Sequence, residues 1–496
     1  MKTYITKPTS IKKSQIMTSG FSLSGKDYRF LKNNSRTNLI SNYILKSYSG
    51  KEIGSEAYML KSKHRFLKTV NLGKNFTLET SKFEYCKPIN KVYPKFGDIL
   101  IAKDGGGDGL GESSIYNLDN KEKIDSVSAG IIGIRVEESL KHYIFGLLKT
   151  RHFKEFIDLN TPQGSTIRHS KKIALDYQIP FPTTANHPEP QQVQDLVSVL
   201  VQNIIDKEEQ IKAKNALIDQ LIEAELKDNQ KDNTFTYKLP KISEIKREGR
   251  MDTGLYEEKF KRKFNPILNY VHGTKTLAEL KFTTKKGPNL AVSVIGQSYY
   301  SKNKKTIEFQ KLILSKNVDD SGGIRSVQYI GNLKKLPIVE DGDFMLFARG
   351  DIGKVLFVDE NLAGSTSNFD VFFISSKKPL HIKLYSMLFL KYLRNIKFWG
   401  LYAVQGSAAP SLTDYHLKLV KIPSFPELKQ QEIANEYYNI VEPNQNLTLE
   451  NYLELEKQRN LKLGIFQLNM EIFDLRDKLE DLVDRIVNEQ PIGINF

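Results

Sequence analysis

A chain of 496 residues with a formal charge of +15 and a pI near 9.3 should fold as several domains, and its cationic excess points to a polyanionic partner. With 40% hydrophobic and 10% aromatic residues it can build real cores, which excludes a disordered chain. The single cysteine, Cys86, excludes an internal disulfide or a multi-thiolate metal centre and is expected as a buried thiol.

Residues 1–30 are polar and rich in Lys and Ser. From Leu39 to Pro188, strand-length apolar runs alternate with Gly, Pro, Asn and Asp turns, as in Asp98–Ala102 and Ala129–Ile134. One helix is predicted from His142 to Asp158, with Tyr143, Leu147, Phe153 and Phe156 at helical steps. The loop Phe181–Pro190 then leads into a long helix from Gln191 to about Leu226, a stretch without Gly or Pro. In it Val197, Ile204, Ile211 and Ile218 recur at steps of seven, with Leu200 and Leu221 in the alternate seam position. Such a stripe is too narrow to be its own core and needs a partner helix. Lys207 and Lys214 interrupt the seam, either snorkelling at its edge or fixing its register.

A polar linker, Lys227–Asn233, opens a second strand-rich region that runs to about Phe425. It contains one predicted helix, from about Lys383 to Phe398, against which Trp399 should close the core. The last segment is predicted helical to about Asn488. There Leu461, Ile465, Leu468, Ile472, Leu475, Leu479, Leu482 and Ile486 alternate steps of four and three. The two heptad stretches are read either as an ordinary buried helix pair or as an antiparallel coiled coil spacing two globular domains. The rest of the chain favours the coiled coil. No apolar run approaches membrane-spanning length and no signal-peptide core precedes the first domain, so a cytoplasmic location is expected.

The chain repeats itself. Phe96-Gly97-Asp98-Ile99-Leu100-Ile101-Ala102-Lys103 returns as Asp341-Gly342-Asp343-Phe344-Met345-Leu346-Phe347-Ala348-Arg349. Pro162-Gln163-Gly164-Ser165 returns as Val404-Gln405-Gly406-Ser407, and Ile179–Pro182 as Ile422–Pro426. Gln191-Gln192 and Gln430-Gln431 head the two helical stretches. Gly97 and Gly342 lie 245 residues apart, and Gly164 and Gly406 lie 242 apart. Four matches in one order at a nearly constant offset make the chain two copies of a globular domain followed by a helix.

This order of motifs resembles the specificity (S) subunit of Type I restriction–modification systems, over nearly the whole chain. In the second half Arg349-Gly350-Asp351-Ile352-Gly353-Lys354-Val355 is similar to the family's Gly-bounded turn, whereas the first half expands it to Lys103–Gly111. The resemblance implies an α+β fold of two tandem target-recognition domains, each followed by a long conserved helix, the helices pairing antiparallel. The ranges are 1–188 and 231–428 for the domains, and 189–230 and 429–496 for the helices. It also implies a non-catalytic subunit that reads a bipartite DNA target for DNA methylation and phage defence. Two methyltransferase subunits would dock on the helices and restriction motor subunits would join. S-adenosylmethionine, ATP and Mg would belong to those partners and none to this chain. Helices of about 35 residues would make a rod of roughly 50 Å, about one and a half DNA turns.

Chemistry of the chain's own was sought in its motifs. No Pro-Pro pair is present for an amino-methyltransferase loop, and Cys86 is not in the Pro-Cys pair of a cytosine-5 enzyme. No GxGxxG follows a strand, and there is no Walker loop and no HExxH. The glycines at 105–111 lack phosphate-loop spacing and read as a turn, and the Glu-x-Lys tripeptides are too frequent to mean a nuclease. Catalysis by this chain is therefore not expected.

What remains is recognition. Arg349 and Lys354 bracket a Gly turn suited to a base edge or a phosphate, with Lys103 taken as the equivalent in the first copy. Gln163, Ser165, Arg168, His169, Lys171 and Lys172 form a polar loop whose counterpart holds Gln405 and Ser407 without the cations. Tyr299, Tyr300, Lys302, Lys304 and Lys305 form a basic-aromatic cluster suited to phosphate. For each, the alternative is a solvated surface side chain. Two other classes stay open: a DNA-binding restriction enzyme with an unrecognised nuclease site, and a coiled-coil scaffold that binds no DNA.

Overall fold

The computed structural model describes residues 3–18, 28–88, 93–106, 109–118, 123–162, 165–232, 234–249, 251, 253–302, 309–403 and 410–496. It divides into two compact units. The first comprises Met1–Glu209, Glu442–Leu461 and Ile472–Phe496, and the second Gln210–Val441 and Lys462–Glu471.

In the first unit the strands are β1 (Arg36–Leu39), β2 (Ile44–Ser49), β3 (Tyr58–Met59), β4 (His64–Leu67), β5 (Glu84–Cys86), β6 (Ile99–Ala102), β7 (Asp104–Gly105), β8 (Ser113–Ile115), β9 (Ile124–Val127) and β10 (Ile131–Val136). Helices α1 (Lys141–Lys149) and α2 (Arg151–Asn160) follow, then β11 (Arg168–His169), β12 (Gln178–Phe181) and the long helix α3 (Pro190–Asp228). One antiparallel sheet has the order β8-β6-β10-β2, and a mixed sheet, in which β9 pairs parallel with β4, has the order β9-β4-β5-β3. All four residues of β6 are buried, so this strand has apolar neighbours on both faces. Leu100 and Ala102 point into a core with Leu67, Leu72, Leu78, Val127 and Ile131. Cys86 is buried at the end of β5.

The second unit repeats this plan with β13 (Thr274–Lys275), β14 (Thr283–Lys286), β15 (Tyr299–Ser301), β16 (Gln310–Leu312), β17 (Gln328–Gly331), β18 (Phe344–Phe347), β19 (Val355–Phe357) and β20 (Val371–Ser375). Helix α4 (Leu380–Asn395), β21 (Ile422–Pro423) and α5 (Glu427–Tyr437) complete it. Its main sheet, β19-β18-β20-β14, has the strand order of β8-β6-β10-β2. Its second sheet, β15-β17-β16, matches β3-β5-β4, and β13 pairs with β21 as β1 pairs with β12. Met345, Phe347, Val358, Val371 and Phe373 fill its core.

Single hydrogen bonds repeat as well. The Tyr143 hydroxyl donates to the Pro180 carbonyl at 2.6 Å, and the Tyr385 hydroxyl to the Pro423 carbonyl at 2.8 Å. Asn71 caps its own turn through Lys68 N at 2.8 Å, and Asn317 does so through Leu314 N at 2.9 Å. Gly97 and Gly342 both take positive φ (86° and 78°), the left-handed region that glycine enters without strain. Asp98 and Asp343 then each accept a backbone N–H three residues back, at 2.9 Å. The repeat read from the sequence is thus a repeat of local structure.

The helices differ in detail from the sequence expectation. Helix α3 is continuous, but the predicted helix from His142 is two helices joined at Thr150. The C-terminal stretch is α5, then α6 (Tyr452–Asn460) and α7 (Ile465–Val487), with a non-helical segment from Tyr438 to Asn451. Leu461 lies in the break before Gly464 and is 59% exposed, so it is not a seam residue. Of the residues there only Gly464 favours a break, since Leu461, Lys462 and Leu463 are good helix formers.

Within the first unit, Asn186 donates to the carbonyls of Arg485 and Gln490, and Glu208 accepts from Arg476 at 2.7 Å. The first part of α3 therefore rises as α7 descends: the two are antiparallel there. Val197, Ile204, Ile472, Leu479, Leu482 and Ile486 are buried, Leu475 half-buried. A Cβ on Gly146 of α1 would lie 2.8 Å from Val201, 3.2 Å from Val197 and 3.6 Å from Leu479. The seam is thus shared with a helix of the globular part, and Gly146 lets that helix approach. In the second unit Ile211, Ile218, Ile465 and Leu468 are buried. Lys207 does not snorkel; it is buried, with its ammonium on Asn460 and Glu456. Lys214 pairs with Glu436 at 2.7 Å.

Candidate nucleic-acid interface

In the first unit the buried strand β6 ends at Ala102 and the chain emerges as Lys103-Asp104-Gly105. There β7 pairs with β11, Asp104 opposite His169 and Gly105 opposite Arg168. Ser170 secures the junction by donating its N–H (2.7 Å) and hydroxyl (3.1 Å) to the Lys103 carbonyl. This brings together Lys103, Ser165, Arg168, His169, Lys171 and Lys172, which the sequence places in two separate motifs. Gln163 lies outside the described residues.

The members of this corner are differently committed. Arg168 spends its guanidinium on the Asp158 carboxylate (2.5 Å) and on the carbonyls of Asp158, Pro162 and Thr161, so it clamps the loop rather than projecting from it. His169 is largely exposed and holds Asp104 at 2.8 Å. Lys103 reaches the Ser49 hydroxyl at 3.3 Å. Lys171 and Lys172 are exposed, and Lys171 has φ +50°, a conformation that turns the chain sharply at the loop's end.

In the second unit, β18 ends at Phe347 and the chain emerges as Ala348-Arg349; Arg349 bridges Ser411 while Leu412 N–H donates to the Ala348 carbonyl at 2.8 Å. This pattern matches the bond from Ser170 to Lys103, so Ala348 stands where Lys103 does and Arg349 where Asp104 does. The expectation that Lys103 and Arg349 are equivalent is shifted by one residue. Arg349 is exposed, and no hydrogen bond or ion pair holds its guanidinium among the described residues. The turn after it contains Gly350 and Gly353 at φ +74° and +81°. A Cβ on Gly353 would meet the Trp399 ring at 2.2 Å, so this glycine serves both the turn and the packing of Trp399, which donates to the Leu390 carbonyl.

Lys354 is a correction. It is 4% exposed, and its ammonium sits on Asp351 (2.8 Å) and on the carbonyls of Val318 (3.0 Å) and Ser315 (3.4 Å). Although burial raises the Asp351 carboxyl, the hydrogen bond and charge of Lys354 outweigh it and hold the pKa below the usual value. Lys354 therefore ties the Gly turn to the 315–318 segment and does not offer itself to phosphate. A lysine beside a glycine turn looks exposed in sequence because neither carbonyl partner is near in the chain.

Tyr299 and Tyr300 are 64% and 51% exposed on the edge strand β15, with exposed Lys302 beside them. Lys304, Lys305, Gln405 and Ser407 lie outside the described residues. The matching segment of the first unit runs from β3 to β4, which flank β5, and carries Tyr58, Met59, Leu60, Lys61 and Lys63; motif reading missed it because the pair of tyrosines is not repeated there. Only the shared order β15-β17-β16 and β3-β5-β4 reveals the match. Among the described residues no group of His, Cys, Asp and Glu could hold a metal ion, and no helix is long and apolar enough to cross a membrane.

Among solved structures, the S subunit of a Type I restriction–modification system from M. genitalium is 12% identical, covering 93% of this chain and 97% of that one with a TM-score of 0.38. The HsdS subunit from Thermoanaerobacter tengcongensis is 12% identical, covering 92% and 98% with a TM-score of 0.27. No curated protein matches. The family model described as Type I restriction modification DNA specificity domain matches residues 236–457, and over those residues the chain is similar to that domain.

Proposed function

We propose that this chain is the DNA-recognition subunit of a Type I restriction–modification complex and reads a bipartite target, one half with each unit. The observation that carries the reading is the repeat itself: one strand order and several of its local hydrogen bonds built twice, with different chemistry at the emerging strand end. The first unit presents Asp104 with His169, and the second presents Arg349. A carboxylate suits the cytosine amino group and a guanidinium the guanine edge, so the two units would select different bases. The exposed Lys171 and Lys172 at the first corner supply sequence-independent attraction to phosphate.

On this reading the conserved helices α3 and α7 dock two methyltransferase subunits, and restriction subunits join them. S-adenosylmethionine, ATP and Mg are held by those partners. Binding of the purified chain to duplex DNA over a salt series tests the recognition role. The reading expects log affinity to fall linearly with log salt concentration, with a tighter limit for one sequence class. Absence of duplex binding would favour a protein scaffold, and metal-dependent cutting by the chain alone would favour a nuclease.

A further inference from the structure

The two units carry different charged side chains at the same strand end, and their backbone bonds show which position of one stands for which of the other. In the first unit the Lys103 N–H donates to the Gly130 carbonyl at 2.9 Å, and in the second the Ala348 N–H donates to the Asp370 carbonyl at 2.7 Å. Asp370 therefore stands where Gly130 does. Gly50 N–H donates to the Ile131 carbonyl at 3.3 Å, as Gly287 N–H does to the Val371 carbonyl at 2.8 Å. Ser49 lies opposite Ile132 on β10 and Lys286 opposite Phe372 on β20, so Lys286 stands where Ser49 does. The turns capped by Asn71 and Asn317 likewise put Ser315 in the place of Thr69.

These exchanges compensate one another. A Cβ on Gly130 would lie 3.5 Å from the Asp104 Oδ2 and 3.0 Å from the Thr69 methyl. The first unit thus brings its carboxylate to that spot from Asp104, over a glycine. The second unit grows a carboxylate there from Asp370 itself, and Ser315, which lacks the crowding methyl, leaves it room. The lysine moves in the opposite sense. Lys103 reaches across to the Ser49 hydroxyl at 3.3 Å, whereas the second unit has Ala348 at the first position and the exposed Lys286 at the second. Each corner keeps one carboxylate and one lysine, supplied from exchanged positions.

Asp370 is half-buried, and among the described residues its carboxylate accepts from the Asn368 amide at 3.2 Å and makes no ion pair. A site for phosphate alone gains nothing from a carboxylate, which repels the anion. A carboxylate needs a donor, and beside a cation it fits a base pair, whose major-groove edge sets the cytosine amino group next to the guanine acceptors. We infer that Asp370 is a specificity-determining residue of the second unit: it accepts the amino group of a cytosine, while Arg349 takes a guanine edge and Lys286 a neighbouring phosphate. The inference rests on the DNA-recognition reading above and adds a cytosine-reading group to the half-site of Arg349. The half-sites still differ, because Asp104 offers no guanidinium at the position of Arg349.

The test uses the full chain and a duplex that it selects from a random-sequence library. Asp370→Ala should weaken binding to that duplex about tenfold, although it removes a negative charge from a DNA-binding face. Repeating the selection with it should relax one cytosine position of the second half-site and leave the first half unchanged. Asp370→Asn keeps the shape of the side chain and an acceptor for Asn368, so it should unfold at the wild-type temperature. It should exchange the cytosine preference for adenine, the base that an amide reads with both its groups. Lys286→Ala should weaken all sequences alike and lower the salt slope by about one. If both Asp370 variants select the wild-type motif with equal or higher affinity, Asp370 is a solvated surface charge; the inference is overturned and the recognition reading stands. If the wild-type chain selects no duplex, both are overturned.

Discussion

The Lys207 ammonium lies 2.6 Å from the side-chain oxygen of Asn460, and both residues are shut away from solvent. Around them Asn460 donates to Asn203 and Asp206 at 2.9 Å each, Asn203 donates to the Tyr452 hydroxyl, and Glu456 receives Lys207 and Arg459. A polar cluster of this size between α3 and α6 contributes little net stability, since desolvation offsets most of its attraction. It does penalise any other register, in which its charges would lose their partners.

Removing one member should therefore cost unequally. Glu456→Gln takes the shared carboxylate from two buried cations and should destabilise by about 3–5 kcal/mol. Lys207→Met leaves Glu456 with Arg459 and should cost about 1–3 kcal/mol. Urea unfolding of both variants checks the order; equal effects below about 0.5 kcal/mol would show that the cluster is not dry.

Arg349 and Lys354 should separate cleanly, although they stand only five positions apart. Lys354→Ala removes the ion pair to Asp351 and the ammonium that the Val318 carbonyl accepts from beneath the turn, and should destabilise by about 1–3 kcal/mol. Arg349→Ala should leave unfolding unchanged and, if the guanidinium reads a guanine, cost about 1–3 kcal/mol in binding at one position of the target. Calorimetry with single-mismatch duplexes distinguishes the two. A stable Lys354→Ala variant with a lowered salt slope would return that lysine to the DNA surface.

His152 sets an acid limit on the first unit. It is fully buried, its Nδ1 shares a 2.7 Å hydrogen bond with the Tyr177 hydroxyl, and its Nε2 has no partner among the described residues. Burial pushes its pKa down from 6.5 to about 4. Below about pH 6.5 the unfolded chain takes up a proton that the folded chain refuses, so stability is full above that pH and falls towards pH 4. His152→Gln keeps a hydrogen-bonding group but cannot titrate, and the stability difference between it and wild type should shift across this window. A pH-independent difference would contradict a buried neutral imidazole.

The strands, the repeat and the long helix were legible because each rests on a local pattern: Gly-Asp before an apolar run, and heptads without Gly or Pro. Leu461 fits the heptad by spacing, and only Gly464 three residues on hints at the break. The corner that joins Lys103 to the 165–172 loop was half legible, since both motifs drew attention but the β7–β11 bridge that unites them is non-local. Lys354 and Arg168 were misplaced for one reason. Their partners are backbone carbonyls, which no side-chain motif announces.

The central claim, recognition of a split DNA target by two like units, is tested most directly by sequencing the methylated bases of the host genome with and without this gene. The account predicts that methylation of one bipartite motif, two short specific halves around an unread spacer, disappears with the gene. Replacing residues 231–425 with the corresponding domain of a relative should then change one half of that motif only. An unchanged methylation pattern on deletion, or loss of a single uninterrupted motif, would contradict it.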